Sequence, residues 1–348
     1  MAVKNAYNIA VVGATGAVGT KILETLEKTE FPVNELKVLA SKRSAGKTVQ
    51  FANNDYVIEE ATPESFSGVD IALFSAGGSV SKALAHEAVQ RGAVVVDNTS
   101  AFRMAENVPL VVPEVNEQDI ESHQGIIANP NCSTIQMVAA LKPIKDAFGL
   151  SRIIVSTYQA VSGAGDQAIA ELEEQTAQHL NGDAMEANIL PVKSEAKHYP
   201  IAFNALPQID VFSEGGYTLE EWKMINESKK ILHDEDLSVA ATCVRLPVFT
   251  SHAESVYIEI DKDNVRVEDF WKVLETAPGV ILEDRPAEQV YPTPLSSADK
   301  DEVFVGRVRR DPDKSNGFHL WIVSDNLVKG AALNTVQIAH SLVKNNWL

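Results

Sequence analysis

The stretch Asn8–Gly19, NIAVVGATGAVG, decides the fold of this chain. A short apolar run, Asn8–Val12, meets Gly13-Ala14-Thr15-Gly16-Ala17-Val18-Gly19. The segment Ala17–Lys28 follows, with Val18, Ile22, Leu23 and Leu26 at helical spacing. A glycine triplet alone says little. Placed at the end of a first strand and the start of a first helix, it provides a tight turn, close backbone approach to a pyrophosphate and close helix–strand packing. The free N–H groups of the helix start then face the phosphates. Gly13, Thr15, Gly16, Ala17, Val18 and Gly19 are therefore candidate cofactor contacts.

Working outward, Leu36–Ala40, Asp70–Phe74, Ala93–Asp97 and Gly125–Ala128 read as strands, with a helix through Ala83–Gln90. Strands alternating with helices predict a doubly wound parallel sheet, a Rossmann-type α/β domain over residues 1–131. Beyond Asn131 the character changes. Arg152–Val161, Leu237–Val248, Ser255–Asp261, Val303–Arg310 and Phe318–Ser324 are longer, richer in β-branched residues and separated by fewer helices. They predict an α+β domain with a mixed sheet and helices on one face, over residues 132–325. Glu283–Lys300, with its prolines and serines, reads as a long loop, and Gly330–Val343 as a helix. The 348 residues suit two domains of roughly 150 residues each.

Composition narrows the function classes. Apolar residues make up 45% and charged residues 22%, the profile of a folded globular chain. No apolar run approaches the ~18 residues of a membrane span. Met1–Asn8 is short and polar and reads as carrying no signal peptide. Two cysteines make no disulfide framework, so a reducing, cytoplasmic compartment is expected. A net charge of −18 argues against nucleic acid as a partner. It also means that anionic ligands must be held by a few arginines and lysines within clefts, against the overall field. No metal is called for.

The second strand tests the cofactor. It ends Ala40-Ser41-Lys42-Arg43-Ser44, without the acid that bonds the ribose hydroxyl in NAD enzymes. Arg43 with the hydroxyls of Ser41 and Ser44 suits a 2′-phosphate, so NADP is expected over NAD. The bland alternative is a solvated loop.

Asn129-Pro130-Asn131-Cys132-Ser133-Thr134 follows a strand and precedes a helical pattern. Pro130 blocks helix continuation, so the helix should begin near Cys132. A thiol at a helix start sees the positive end of the dipole, which favours the nucleophilic thiolate. On position alone, a small buried apolar residue is an equal reading of Cys132. Cys243, inside the apolar run Ala240–Leu246, reads as core.

These pieces have a family likeness. Gly13–Gly19, Asn129–Thr134 and Gln159-Ala160-Val161-Ser162-Gly163-Ala164-Gly165 resemble the aspartate-semialdehyde dehydrogenases. So do Asp97–Arg103, Glu220–Lys223, Arg245–His252 and Ser324–Lys329, in the family's order and over nearly the whole chain. The style is that of the shorter bacterial branch. The resemblance implies a thioester on Cys132, with Gln159 orienting the substrate beside it. It implies His252 as general acid/base, a role suited to a side chain that titrates near neutrality. Sequence physics alone leaves His198 and His319 as equal candidates. Arg245 would grip the substrate α-carboxylate, and Glu220 its α-ammonium. Lys223 and Arg103 would hold phosphate. Ser162 and Gly163 would pass close to the nicotinamide. Asn326 would add a cofactor contact, bringing a C-terminal segment, 326–348, back to the first domain. For Gln159 the bland reading is a solvent-facing strand residue; for Glu220 and Lys223 it is a surface ion pair.

The implied reaction is the NADPH-dependent conversion of L-aspartyl 4-phosphate to L-aspartate 4-semialdehyde and phosphate, by a homodimer. It serves lysine, methionine, threonine and diaminopimelate synthesis. N-acetyl-γ-glutamyl-phosphate reductase is the nearest rival, but its acylated substrate nitrogen needs no acid such as Glu220. A glyceraldehyde-3-phosphate-type dehydrogenase fits the cysteine surroundings and the Ser41–Ser44 loop poorly. A catalytically dead NADPH-sensing Rossmann protein would have no use for so many reactive side chains.

Overall fold

The structure, a computed structural model, describes residues 4–348. Residues 1–3, part of the stretch read as carrying no signal peptide, lie outside it. The chain divides into two compact units. One runs up to Asn131 and takes in Ala331–Leu348; the other is Cys132–Gly330.

The first unit contains β1 (Tyr7–Val12), β2 (Val33–Ala40), β3 (Thr48–Phe51), β4 (Asn54–Val57), β5 (Glu59–Glu60), β6 (Ile71–Phe74), β7 (Val94–Asp97) and β8 (Ile126–Ala128). Helices α1 (Ala17–Lys28) and α2 (Gly78–Gln90) and the short α3 (Pro113–Asn116) join them. Among the described residues six strands pair in the order β5-β2-β1-β6-β7-β8, all parallel. Strand alternation splits the core into two layers. Ile9, Val11, Leu73 and Val96 pack with Ile22, Leu23 and Leu26 of α1. Ala10, Val12, Ala72 and Val95 pack with Ala85 and Ala88 of α2. Burial on both faces explains why these strands read as continuous apolar runs. The β3–β4 hairpin was not legible in the sequence. Its turn uses Ala52 and Asn53, both left-handed at φ 47 and 61, in place of the glycine that usually marks such a turn.

The second unit contains β9 (Arg152–Gln159), β10 (Ser238–Arg245), β11 (His252–Glu259), β12 (Val280–Leu282), β13 (Val303–Arg310) and β14 (Gly317–Ser324). Its helices are α4 (Cys132–Phe148), α5 (Asp166–Asn181), α6 (Leu219–Ile231), α7 (Val267–Glu275) and the short α8 (Pro294–Ser297). The strand order is β10-β9-β11-β14-β13-β12. β9 runs parallel to β10, while β11 is antiparallel to both β9 and β14, so the sheet is mixed. Helices α4, α6 and α7 pack on one face. The other presents Ile154, Tyr158, Tyr257 and Trp321, exposed or half-buried. The expected loop Glu283–Lys300 holds α8 and a single 3₁₀ turn, Pro286–Glu288.

Helix α9 (Leu333–Lys344) belongs to the first unit, where Val336, Ile338 and Leu342 join the α1 layer. The returning segment begins at Ala331 and not at 326, which corrects the expectation. The reason is local. The Asp325 carboxylate accepts from the Asp299 amide at 2.8 Å and the Asn326 side chain from the Ser251 amide at 2.9 Å, tying this stretch to the second unit. Among the described residues, no helix is long and apolar enough to cross a membrane.

Candidate active site

In the first unit a cleft of about 630 Å³ opens at the strand ends, lined by Gly13, Thr15, Gly16, Ser41, Lys42 and Glu60 among others. Gly13 sits at φ +90, and a Cβ on it would fall 2.8 Å from the Ala76 amide nitrogen. At Gly19 a Cβ would lie 2.1 Å from the Gly13 carbonyl oxygen. Only hydrogen fits there, and α1 can therefore start directly against the turn. The cleft, the glycine turn and the helix N-terminus fit a dinucleotide.

The expected 2′-phosphate loop is only partly on this lining. Ser41 and Lys42 line the cleft, whereas Arg43 is exposed beside it. Ser44 is buried, its amide donating to the Ser41 carbonyl at 2.8 Å in a turn. Sequence reading missed Glu60. The second strand carries no acid at its end, but β5 sets Glu60 beside Ala40 and on the cleft wall. Arg103, also in this unit, is buried and braces the backbone, donating to the Asn129 carbonyl at 2.9 Å and the Asn98 carbonyl at 2.8 Å.

The second unit gathers the remaining candidates by sheet topology. With β9 and β10 parallel and β11 and β14 antiparallel to their neighbours, the C-terminal ends of β9, β10 and β14 meet the N-terminal end of β11. Gln159 is the register partner of Arg245, and His252 that of Ser324. Residues 159, 245, 252 and 326 thus come to one end of one sheet from segments far apart in sequence. Helix α4 begins at Cys132, as Pro130 predicted, and the thiol is partly exposed.

Gln159 is buried, which rules out a solvent-facing role. It accepts from the Thr157 hydroxyl at 2.9 Å and donates to Glu220 Oε1 at 3.1 Å. Glu220 is itself buried and receives Lys223 Nζ at 3.2 Å. Lys223 also reaches Asp210 at 2.8 Å, a partner that no sequence signal marks. The spacing Glu220–Lys223 is therefore a half-buried clamp rather than a surface ion pair. Arg245 is fully buried and donates through Nη1 to the Ala160 carbonyl at 2.7 Å. Burial pulls its pKa down, while Glu220 and Cys132 support its charge. The same attraction favours an anionic sulfur on Cys132. Cys243 is buried, and its thiol is pushed far up by burial and by Glu220, which makes it inert.

His252 departs from expectation. It was read as titrating near neutrality; burial and the adjacent Arg245 charge instead push it down to about 3. Its Nδ1 accepts from the Ala160 amide at 3.1 Å, which leaves the proton of the neutral ring on Nε2. That Nε2 has no hydrogen-bond partner among the described residues. Ser251, just before it, is held at φ +70, a conformation that L residues rarely adopt. Asn326 holds it there. Its Oδ1 accepts from the Ser251 amide at 2.9 Å and from the Ser162 hydroxyl at 3.1 Å. The side chains of Ser162 and Asn326 are thus spent on each other and on this turn.

Gly163 lies against Arg245 and His252. A Cβ there would fall 2.9 Å from Arg245 Nη1 and 3.2 Å from His252 Nε2. Gly330, read from the sequence only as a helix start, lies in the same way against Cys132: a Cβ would fall 2.9 Å from Cys132 Cβ. The His252 imidazole, the Arg245 guanidinium, the Gln159 amide and the Cys132 thiol are thus linked through Arg245, Gly163 and Glu220.

Residues 8–123 match the family described as semialdehyde dehydrogenase, NAD binding domain, and residues 141–329 that described as semialdehyde dehydrogenase, dimerisation domain. The aspartate-semialdehyde dehydrogenase of Bacillus subtilis (strain 168) is 64% identical over 97% of this chain and 98% of its own. That of Aquifex aeolicus (strain VF5) is 53% identical over 98% and 99%. Among solved structures, aspartate semialdehyde dehydrogenase II of Vibrio cholerae, complexed with ASA, superimposes with a TM-score of 0.94 at 48% identity, covering 98% of this chain and 99% of that one. The Candida albicans enzyme with NADP gives 0.75 at 26% identity, covering 99% and 100%.

Proposed function

Because the chain belongs to the aspartate-semialdehyde dehydrogenase family, we propose that it carries out that family's reaction through a thioester on Cys132, as a cytoplasmic homodimer. The substrate is L-aspartyl 4-phosphate, the products L-aspartate 4-semialdehyde and phosphate, and the cofactor NADPH. The reaction feeds lysine, methionine, threonine and diaminopimelate synthesis. The first unit is the NADP-binding domain and the second the catalytic and dimerisation domain. The open, aromatic face of the second sheet supplies the dimer surface. What supports the assignment of roles is a single observation: Arg245 stands in electrostatic contact with both Cys132 and His252, while Gly163 keeps the space beside them clear.

The Cys132 thiolate attacks the β-carbonyl of the acyl phosphate, and the C–O bond to phosphate breaks. Arg245 binds the substrate α-carboxylate by a charge-assisted fork. Glu220 takes the α-ammonium, and Gln159, held by Thr157 and Glu220, orients the carbonyl. Lys223 and Arg103 hold the phosphate. Gly13–Gly19, Ser41, Arg43 and Ser44, with the backbone at Ser162 and Gly163 and with Asn326 bracing that turn, would hold the dinucleotide, which when bound supplies hydride to the thioester carbonyl. His252 enters as a neutral Nε2–H donor. It stabilises the oxyanion on the tetrahedral carbon by a hydrogen bond, and because burial and the Arg245 charge push its pKa down, the ring stays neutral and takes up no second proton. Collapse of that oxyanion expels the Cys132 thiolate and releases the aldehyde.

The test is NADP reduction in the presence of phosphate, with aspartate semialdehyde or N-acetylglutamate semialdehyde as substrate. Turnover with the first alone is expected; turnover with only the second moves the assignment to the N-acetylglutamyl reductase. Cys132→Ser should lose about 10³-fold or more in kcat while NADPH binding stays within twofold. A serine variant of normal activity removes the thioester.

A further inference from the structure

Helix α4 and strand β11 face each other in successive layers. Cys132 opens α4 and His252 opens β11. One helical turn on from Cys132 is Gln136, and two residues on from His252, on the same strand face, is Glu254. Both are completely buried. The layer below, Ala140 and Val256, is apolar and buried. A single polar layer therefore lies directly beneath the reacting residues.

Its members tie three elements together. Gln136 Oε1 accepts from the hydroxyl of Ser324 on β14 at 2.8 Å, and Ser324 is the register partner of His252. The Gln136 amide nitrogen faces the Glu254 carboxyl without closing a full hydrogen bond, and both carboxyl oxygens are otherwise unpartnered. Burial pushes the Glu254 carboxyl well above the usual carboxylate range. An apolar pair of similar volume would be at least as stable in this position. A layer that stability does not require fixes the register of one element against another.

We propose that Glu254, acting through Gln136, is a positioning residue that sets the height of the α4 N-terminus against β11 and so the placing of the Cys132 sulfur relative to His252. The proposal rests on the roles assigned to those two residues. A misplacement of about 1 Å costs on the order of 10²-fold in rate, so a layer that removes it has functional value.

The experiment compares Glu254→Gln, Glu254→Leu and Gln136→Leu in the full chain, with Cys132→Ser as control. Measured are kcat, KM for aspartate semialdehyde, the melting temperature and the rate of Cys132 alkylation by iodoacetamide. Glu254→Leu, which leaves the Gln136 amide without the carboxyl it faces, should melt somewhat lower than the parent, and its folded fraction should lose about tenfold or more in kcat, with KM within twofold and slower alkylation. Glu254→Gln, neutral and of the same shape, should keep kcat within about twofold. Gln136→Leu, which removes the layer from the helix side, should repeat the loss. Full kcat in either leucine variant, or a loss that only follows the loss of folded protein, overturns the positioning role. If Cys132→Ser is fully active, it is the nucleophile assignment that falls, not the layer.

Discussion

The nucleotide cleft of the first unit takes Gly13, Thr15 and Gly16 from one turn and adds Ser41, Lys42 and Glu60 from the ends of neighbouring parallel strands. The cluster in the second unit takes Gln159, Glu220, Arg245, His252 and Asn326 from five segments that only a mixed sheet and one flanking helix bring together. One site is backbone, held clear by missing side chains; the other is side chains, each held by a second side chain or a carbonyl. The first should fail through structure when disturbed, the second through rate.

Two glycines put that difference to direct trial. Gly19→Ala forces a Cβ against the Gly13 carbonyl, 2.1 Å away, and neither backbone can yield cheaply. The expected cost is about 3 kcal/mol or more in stability, together with loss of NADPH binding, read from thermal melts and a fluorescence titration. Gly163→Ala meets instead the tips of Arg245 and His252, which can move by tenths of an ångström. It should leave the melting temperature and NADPH affinity unchanged and lower kcat about 10²-fold. Were Gly163→Ala to melt early at normal kcat, the division between the two sites would collapse.

Protonation gives a third probe, confined to the second site. His252, pushed down to about 3, refuses a proton that the unfolded chain accepts near 6.5. Between those values the unfolded state binds more protons, so this contribution to stability is complete at high pH and is lost as pH falls through 6.5 toward 3. From pH 8 to pH 5 the loss is about 2 kcal/mol. Glu254 works in the opposite sense, because a raised carboxyl pKa makes its contribution fade as pH rises above the ordinary glutamate value. The histidine share is therefore isolated by comparison with His252→Asn, whose amide oxygen can still accept from the Ala160 amide. The difference in unfolding free energy between parent and variant should shrink by about 2 kcal/mol over that range; a constant difference would mean that His252 is charged in the folded protein.

The same contrast explains what was legible in the sequence. The five inner and longer parallel strands of the first unit could be read, because burial on both faces writes them as apolar runs and the glycine turn is contiguous; β5, two exposed glutamates, left no such run. The place of Cys132 was legible too, since Pro130 fixes where α4 starts, whereas its role came from the family likeness. Gln159, Arg245 and His252 were known only by family likeness, because pairing between distant strands leaves no local mark. The low pKa of His252 could not be read at all; it arises from burial and from an arginine seven residues away in sequence, on β10, which the sheet sets across β9 from β11. Asp210, Gly330 and Glu254 were missed for the same reason, each being defined by what it touches.

The smallest effect lies in the first site, where the sequence argument was right about the strand and incomplete about its neighbour. The absence of an acid at the end of β2 pointed to a 2′-phosphate, but Glu60 on β5 lines the same cleft as Ser41 and Lys42. A carboxylate there opposes a phosphate and can accept from a ribose hydroxyl, so it should blunt the preference for NADPH over NADH. Glu60 is exposed, which means that solvent screens most of the repulsion. Glu60→Gln should therefore lower the KM for NADPH by only about twofold to threefold and leave that for NADH the same or slightly raised. Arg43→Ala should move the ratio the other way, raising the NADPH KM by about fivefold. Arg43 is outside the cleft lining but adjacent to it, close enough for a flexible guanidinium to reach a bound phosphate. If Glu60→Gln shifts both constants equally, the carboxylate is a bystander, and discrimination belongs to the Ser41–Ser44 turn alone.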